Sequence, residues 1–164
     1  MSVIRTVSLL LATLSMGLTA GVFGLYAHTV MPGLGQTDDL TFVGAFQAID
    51  RAIINPWFMG SNFVGALAFT GTACATHWGR STFAWIVAAL VAYLLVIVIT
   101  VTIHLPVNDA IKAAGEPAAI DVAAVRLRFR EARWAAWNLV RVVASTGAVA
   151  CLCWALILHG RSTA

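Results

Sequence analysis

The chain has 164 residues, of which 60% are hydrophobic and only 10% charged, with a net charge of +3 and a mean hydropathy of +0.89. A soluble domain would carry roughly 25% charged residues, so the composition excludes an ordinary water-soluble enzyme and fits one membrane domain over residues 1–164. So small a positive charge gives no ground for a nucleic-acid partner, and the basic residues beside apolar segments are expected to meet lipid head groups of the bilayer.

The first apolar run covers about 6–27. Its 22 residues span about 33 Å, enough for the hydrocarbon core and longer than the usual apolar region of a signal peptide. Gly17, Gly21 and Gly24 lie near one face, which suits close helix packing. A long connection is expected from His28 to Pro56, punctuated by Pro32, Gly33 and Gly35. Within it Phe42, Phe46, Ile49 and Ile53 recur at helical spacing, predicting an amphipathic helix at the membrane interface. Gln47 and Asp50 sit on its neighbouring face. Asn55-Pro56 ends that helix and starts the next.

The second span is expected over about 57–75, with Asn62 facing into its first turns. Asn62 reads first as interhelical hydrogen bonding. His77 to Thr82 is a short polar loop. The third span covers about 83–104, and His104-Leu105-Pro106-Val107-Asn108-Asp109 is expected to close it. From about Ala118 a helical pattern resumes and runs straight into the fourth span, 134–158. Cys74, Cys151 and Cys153 fall in apolar segments without a C-x-x-C spacing and read as small filler.

The fourth span opens on Trp134-Ala135-Ala136-Trp137-Asn138-Leu139-Val140-Arg141. Trp134, Trp137, Asn138 and Arg141 stand at i, i+3, i+4 and i+7, on one helical face. An arginine two turns inside an apolar segment costs roughly 2.5–3.5 kcal/mol at mid-membrane and marks a candidate site. Its bland reading is a side chain snorkelling to the interface. Four spans place both termini on one side and the two long connections on the other. The count of basic residues favours the long connections in the cytoplasm.

The expected fold is therefore all-α: an integral membrane four-helix bundle, in the cell membrane, with an interfacial amphipathic helix between helices one and two. Its polar residues collect at one end. His28, Asn55, Asn62, His104, Asn108, Asn138 and Arg141 come from the four spans, Gln47 and Asp50 from the interface helix. Tyr26, Trp57, Phe58, Trp134 and Trp137 surround them. Single tryptophans at a membrane edge are ordinarily belt residues. Several donors beside flat aromatic walls describe a pocket for a planar, partly apolar ligand with oxygen substituents. His28 and His104 lack the accompanying pattern of a metal or haem site, so no metal is expected. Phosphate loops, dinucleotide fingerprints and Ser-His-Asp order are absent from the sequence.

Three patches resemble the anthrone oxygenase-like family of small four-helix membrane proteins, many of them grouped only as a domain of unknown function. The first is Phe46-Gln47-Ala48-Ile49-Asp50-Arg51 followed by Asn55-Pro56-Trp57-Phe58-Met59. The second is Leu105-Pro106-Val107-Asn108-Asp109-Ala110. The third is Trp134-x-x-Trp137-Asn138-x-x-Arg141. In order, and with the four spans, they cover nearly the whole chain. Asp50 stands where the family usually has asparagine, His104 where asparagine is common, and Leu139 where a histidine often follows the Trp-Asn pair.

The resemblance implies oxidation of an anthrone, an aromatic polyketide-like small molecule, to an anthraquinone by O2 with no cofactor. It assigns His104 or His28 as base, with Arg141 and Asn138 stabilising an oxyanion. Trp134, Trp137 and Trp57, with Phe58, would stack the rings. Asn55, Gln47, Asn108 and Asn62 would shape the pocket. Should the histidine absent at Leu139 be the base in catalytic members, His104 is the nearest replacement. The competing readings are a non-catalytic four-helix protein, either a helper subunit or a binder of quinone or lipid, and, more weakly, a small transporter. An oligomer is compatible with all three.

Overall fold

The computed structural model describes residues 2–162. Helix α1 comprises Ser2–Leu25, a π turn at Tyr26–Val30 and a last turn at Met31–Gly35. Helix α2 is Asp39–Ile53. Helix α3 begins as a π segment, Trp57–Val64, and continues as Gly65–Thr76. Helix α4 joins Phe83–Ile99, a π turn at Thr100–His104 and Leu105–Ala113. Helix α5 is Val122–Phe129 and helix α6 is Glu131–Arg161. Among the described residues there is no strand. The protein is an all-α membrane bundle. Val3–Gly35, Phe83–Ala113 and Val122–Arg161 are each long and apolar enough to cross a membrane; α2 and α3, bent by 70°, together form a fourth candidate.

The bundle closes as a ring in which α1 packs on α3 and α6, and α4 packs on α3 and α6. Its registry is visible in α6. The buried residues Trp134, Asn138, Arg141, Ser145, Ala148, Leu152, Ala155 and His159 alternate in steps of four and three. That is a heptad seam, the pattern that packs helices at a shallow angle over many turns. Helix α1 repeats it through Leu9, Ala12, Met16, Thr19, Phe23 and Tyr26. Where the seam residues are alanines, as at Ala66, Ala89 and Ala148, the helices approach closely and fill the space.

Both α1 and α4 continue past the ends expected from the sequence, and the reason is the same in each. A proline inside a helix donates no hydrogen bond, and its ring collides with the carbonyl one turn back. Here a π turn precedes each proline and absorbs it: Met31 N–H donates to the Tyr26 carbonyl before Pro32, and Leu105 N–H to the Thr100 carbonyl before Pro106. His28, expected to open a loop, is consequently helical, and His104, expected as the last residue of its helix, lies inside it.

The run expected to pass unbroken into the fourth span is interrupted at Arg130, whose φ of 56° and ψ of 60° are left-handed. The interruption turns Phe129 inward against Phe46 (4.6 Å between ring centroids) and Phe42 (5.5 Å). Arg126 locks the turn. It donates to Glu131 at 2.6 Å, to Asp39 at 3.0 Å and to the Thr37 carbonyl at 2.8 Å, and lies 4.4 Å over the Phe42 ring. Helix α2, capped by Asp38 through Thr41 N–H at 3.0 Å, thereby folds across one end of the bundle.

Candidate active site

Beneath α2 lies a cavity of about 280 Å³ to which all four long helices contribute. The three π segments all face it: Tyr26 from α1, Phe58, Met59 and Phe63 from α3, and Thr100 and His104 from α4. Each π turn inserts about one residue into the helical register, so the side chains beyond it rotate off the seam of the far end. The cavity lies where these π segments meet the regular turns of α1 and α6 that carry Val22, Phe23, Trp134 and Arg141.

Arg141 is the charge at the closed end. It is 5% exposed and sits on the α6 seam. Its Nη1 donates to Thr100 Oγ1 at 3.2 Å and its Nη2 to Asn138 Oδ1 at 2.8 Å. The guanidinium lies 4.4 Å from the Phe23 ring centroid and 5.6 Å from that of Trp134. Its Nε has no hydrogen-bond partner. No carboxylate forms an ion pair with Arg141 among the described residues. A buried cation held by neutral groups and aromatic faces is stabilised only in part by cation–π contact, about 2 kcal/mol when desolvated. Asp50, across the same cavity, acts on the charge only from beyond ion-pair distance.

His104 faces the same space. It is 1% exposed and its ring packs edge-on to Trp134 at 4.9 Å; both ring nitrogens are buried close to the Ile99 and Trp134 backbones without meeting full hydrogen-bond geometry there. Buried polar groups are satisfied in the great majority of cases. The imidazole thus lines the cavity with its hydrogen-bonding capacity largely unspent, its nitrogens covered by the packing around the ring. Trp134 is fixed in turn: its Nε1 donates to Asn108 Oδ1 at 2.9 Å, and Asn108 Nδ2 donates to Asp50 Oδ1 at 2.7 Å. Lys112 completes the open end with ion pairs to Asp50 at 2.9 Å and Asp109 at 3.0 Å.

Of the residues singled out in the sequence, His104, Arg141, Asn108, Trp134 and Phe58 line the cavity together, joined by Tyr26 and Asp50. Asn138 stands directly behind Arg141, fully buried, and its Nδ2 donates to the Phe23 carbonyl at 3.1 Å. The other six lie elsewhere. His28 is exposed beside Thr29, at 2.6 Å, because the π turn carries it past the buried face. Asn55 makes the corner between α2 and α3, donating to the Ala52 carbonyl and accepting from Phe58 N–H at 2.9 Å. Gln47 ties α2 to the end of α4 through the carbonyls of Ile111 (2.8 Å) and Gly115 (3.1 Å). Asn62 is buried against Ser61. Trp57 (73%) and Trp137 (36%) are exposed, in keeping with belt residues. Trp137 falls off the heptad seam that carries its three neighbours.

Phe23, Thr100 and Lys112 also line the cavity without having been singled out. Phe23 precedes Tyr26 by three residues and Thr100 precedes His104 by four, so extending each polar face one turn inward would have found both. Leu139, where the resemblance expects a histidine, is 56% exposed and does not line the cavity.

A family model described as anthrone oxygenase matches residues 54–151, more than half of the chain. The chain belongs to the anthrone oxygenase family. The matched stretch contains α3, α4 and α5 entire and two thirds of α6, hence Phe58, His104, Asn108, Trp134 and Arg141; Phe23, Tyr26 and Asp50 lie before it. No curated protein and no solved structure matches the chain.

Proposed function

We propose that this member of the anthrone oxygenase family oxidises an anthrone-like polycyclic phenol to the corresponding quinone with O2, within the cell membrane. The observation that carries the reading is the pairing, in one cavity, of a buried imidazole without a full hydrogen bond and a buried guanidinium that forms no ion pair among the described residues. A cavity of about 280 Å³ lies at the small end of the roughly 300–1,000 Å³ typical of ligand sites and suits one compact ring system. Phe23, Tyr26, Phe58 and Phe63 supply apolar walls.

The anthrone methylene lies between two aryl rings and opposite the ring carbonyl. Removing one of its protons delocalises the electron pair onto that carbonyl oxygen. His104 takes the proton, and Arg141, held by Asn138 and Thr100, faces the oxyanion that develops. The carbanion carbon reduces O2 by two electrons, forming a C–O bond to a peroxide that receives a proton. Loss of the second methylene proton then breaks the O–O bond. The carbon becomes a carbonyl, and the departing hydroxide takes a proton and leaves as water.

The test is purified protein in detergent with emodin anthrone, following oxygen uptake and quinone absorbance together. Acceleration over spontaneous oxidation, with one O2 consumed per quinone, is expected. Binding without acceleration would leave a quinone-binding protein and sink the oxygenase reading for this substrate.

A further inference from the structure

The cavity is charged at both ends and apolar between them. At the closed end stands Arg141, 5% exposed, with no carboxylate attached. At the open end stand Asp50 and Asp109, with Lys112 between them. Exposure rises in that direction: the side chains of Asp50, Lys112 and Asp109 are 10%, 18% and 61% exposed. The ammonium is spent on two carboxylates, at 2.9 and 3.0 Å. Arg51, the other cation nearby, donates to Gln47 Oε1 and the Lys112 carbonyl and does not line the cavity. The lining groups at the mouth thus carry two negative charges and one positive.

We propose that the cavity is a one-anion site. It takes a polycyclic oxyanion with its charge leading toward Arg141, and the collar of Asp50, Lys112 and Asp109 rejects a second anionic group at the trailing end. The acceptable trailing groups are neutral, hydroxyl or alkyl. A ligand with acidic groups at both ends of its ring system must set one of them against the collar in either orientation. There it meets an excess carboxylate and an ammonium whose bonds are already made. The inference rests on the reading of the cavity as a ligand site, and it names which members of the ligand class enter.

The experiment uses the whole protein in a non-ionic detergent near neutral pH, with quenching of tryptophan fluorescence as the readout. The probes are anthraquinone-2-carboxylate and anthraquinone-2,6-dicarboxylate, which share a ring system and differ in one charge. The monocarboxylate is expected to bind about tenfold more tightly, the order that one unit charge gives near a protein surface. Asp109→Asn, at an exposed position, removes one of the two carboxylates on Lys112, leaving Asp50, and narrows the ratio. Raising the ionic strength of the wild-type sample narrows it as well, independently of any variant. A ratio near one in the wild type, a ratio insensitive to both Asp109→Asn and salt, or no binding of either probe would each overturn the proposal. Oxygen uptake with emodin anthrone is scored separately: its failure, with the charge discrimination intact, removes the reaction and leaves the selectivity.

Discussion

Replacing Arg141 by methionine separates what the residue does for the fold from what it does for chemistry. The change keeps an unbranched side chain on the α6 seam and removes the charge. It deletes hydrogen bonds to Thr100 and Asn138, each about 1.5–3 kcal/mol when one partner is charged, and cation–π contact with Phe23 and Trp134, about 2 kcal/mol. It also leaves Asn138 Oδ1 without its partner, about 1–3 kcal/mol. Against these losses it removes the desolvation of a guanidinium that has no counter-ion, several kcal/mol per buried ion. The opposing contributions are of one size, so Arg141→Met should leave stability within about 2 kcal/mol of wild type. In a chain of this length that is a shift in Tm of roughly 4–8 °C in either direction. Turnover has no such compensation: losing the group that faces the developing oxyanion costs about 10²–10³ in kcat. The assay is thermal unfolding in detergent beside oxygen uptake normalised to folded protein. Anthraquinone-2-carboxylate should raise the Tm of the wild type and not of the variant. A variant that unfolds far below this range while its folded fraction still turns over would refute the reasoning and make Arg141 a structural residue.

Three further outcomes follow from named contacts. His104→Gln, which keeps a polar group on the wall but no base, should lower turnover by about 10²–10⁴ while the protein still binds anthraquinone-2-carboxylate; equal turnover would move the base elsewhere. Arg130→Gly relieves a left-handed backbone that costs a side-chain-bearing residue about 1–2 kcal/mol, so Tm should rise by a few degrees, whereas a fall would mean that the guanidinium itself holds the turn. At the far end of the bundle His77 is buried, its Nδ1 donating to the Ala73 carbonyl at 2.8 Å and its Nε2 unpaired. Burial pushes its pKa below the ordinary 6.5, with the nearby His159, Arg5 and Arg80 acting in the same direction and the Ala73 bond opposing. The unfolded chain then binds the proton more readily than the folded one. The stability that neutral His77 supplies is complete above pH 6.5 and drains away as the pH falls below it. A plot of Tm against pH should drop from pH 7 to 5.5 and be flatter for His77→Gln; parallel curves would remove His77 from the account.

The fold was largely legible because its determinants are repeated. Long apolar runs locate the helices, and Phe42, Phe46, Ile49 and Ile53 mark α2 through spacing alone. Residues on the α6 seam were legible for the same reason: Trp134, Asn138 and Arg141 share a face by arithmetic, and the structure buries that face. The six sequence-flagged residues that lie outside the cavity have one thing in common. Each is placed by its polarity or aromaticity at the correct end of the bundle, and in three of them a local backbone demand decides where it points. Asn55 serves a corner, Gln47 serves two carbonyls of the α4 end, and His28 sits in a π turn. Polarity at a membrane protein's end reports the end; it does not report the direction.

The π turns explain both the errors of length and the existence of the site. Pro32 and Pro106 read from the sequence as helix stops, since a straight α-helix cannot carry them without losing a bond and meeting a clash. Widening the preceding turn removes the clash, and the helix continues. The same widening displaces the seam. Beyond it a strict heptad would have closed the bundle with alanines and leucines, as it does around Ala148, Leu152 and Ala155. Instead Tyr26, His104 and Phe58 stand around an opening into which Arg141, still on its unbroken seam, projects. A buried arginine on a regular heptad facing regular neighbours would have no room for an anion beside it. Three irregular helices facing one regular one give it that room, and in two of them the irregular turn is the one that lets the helix continue through a proline that looks like a terminator.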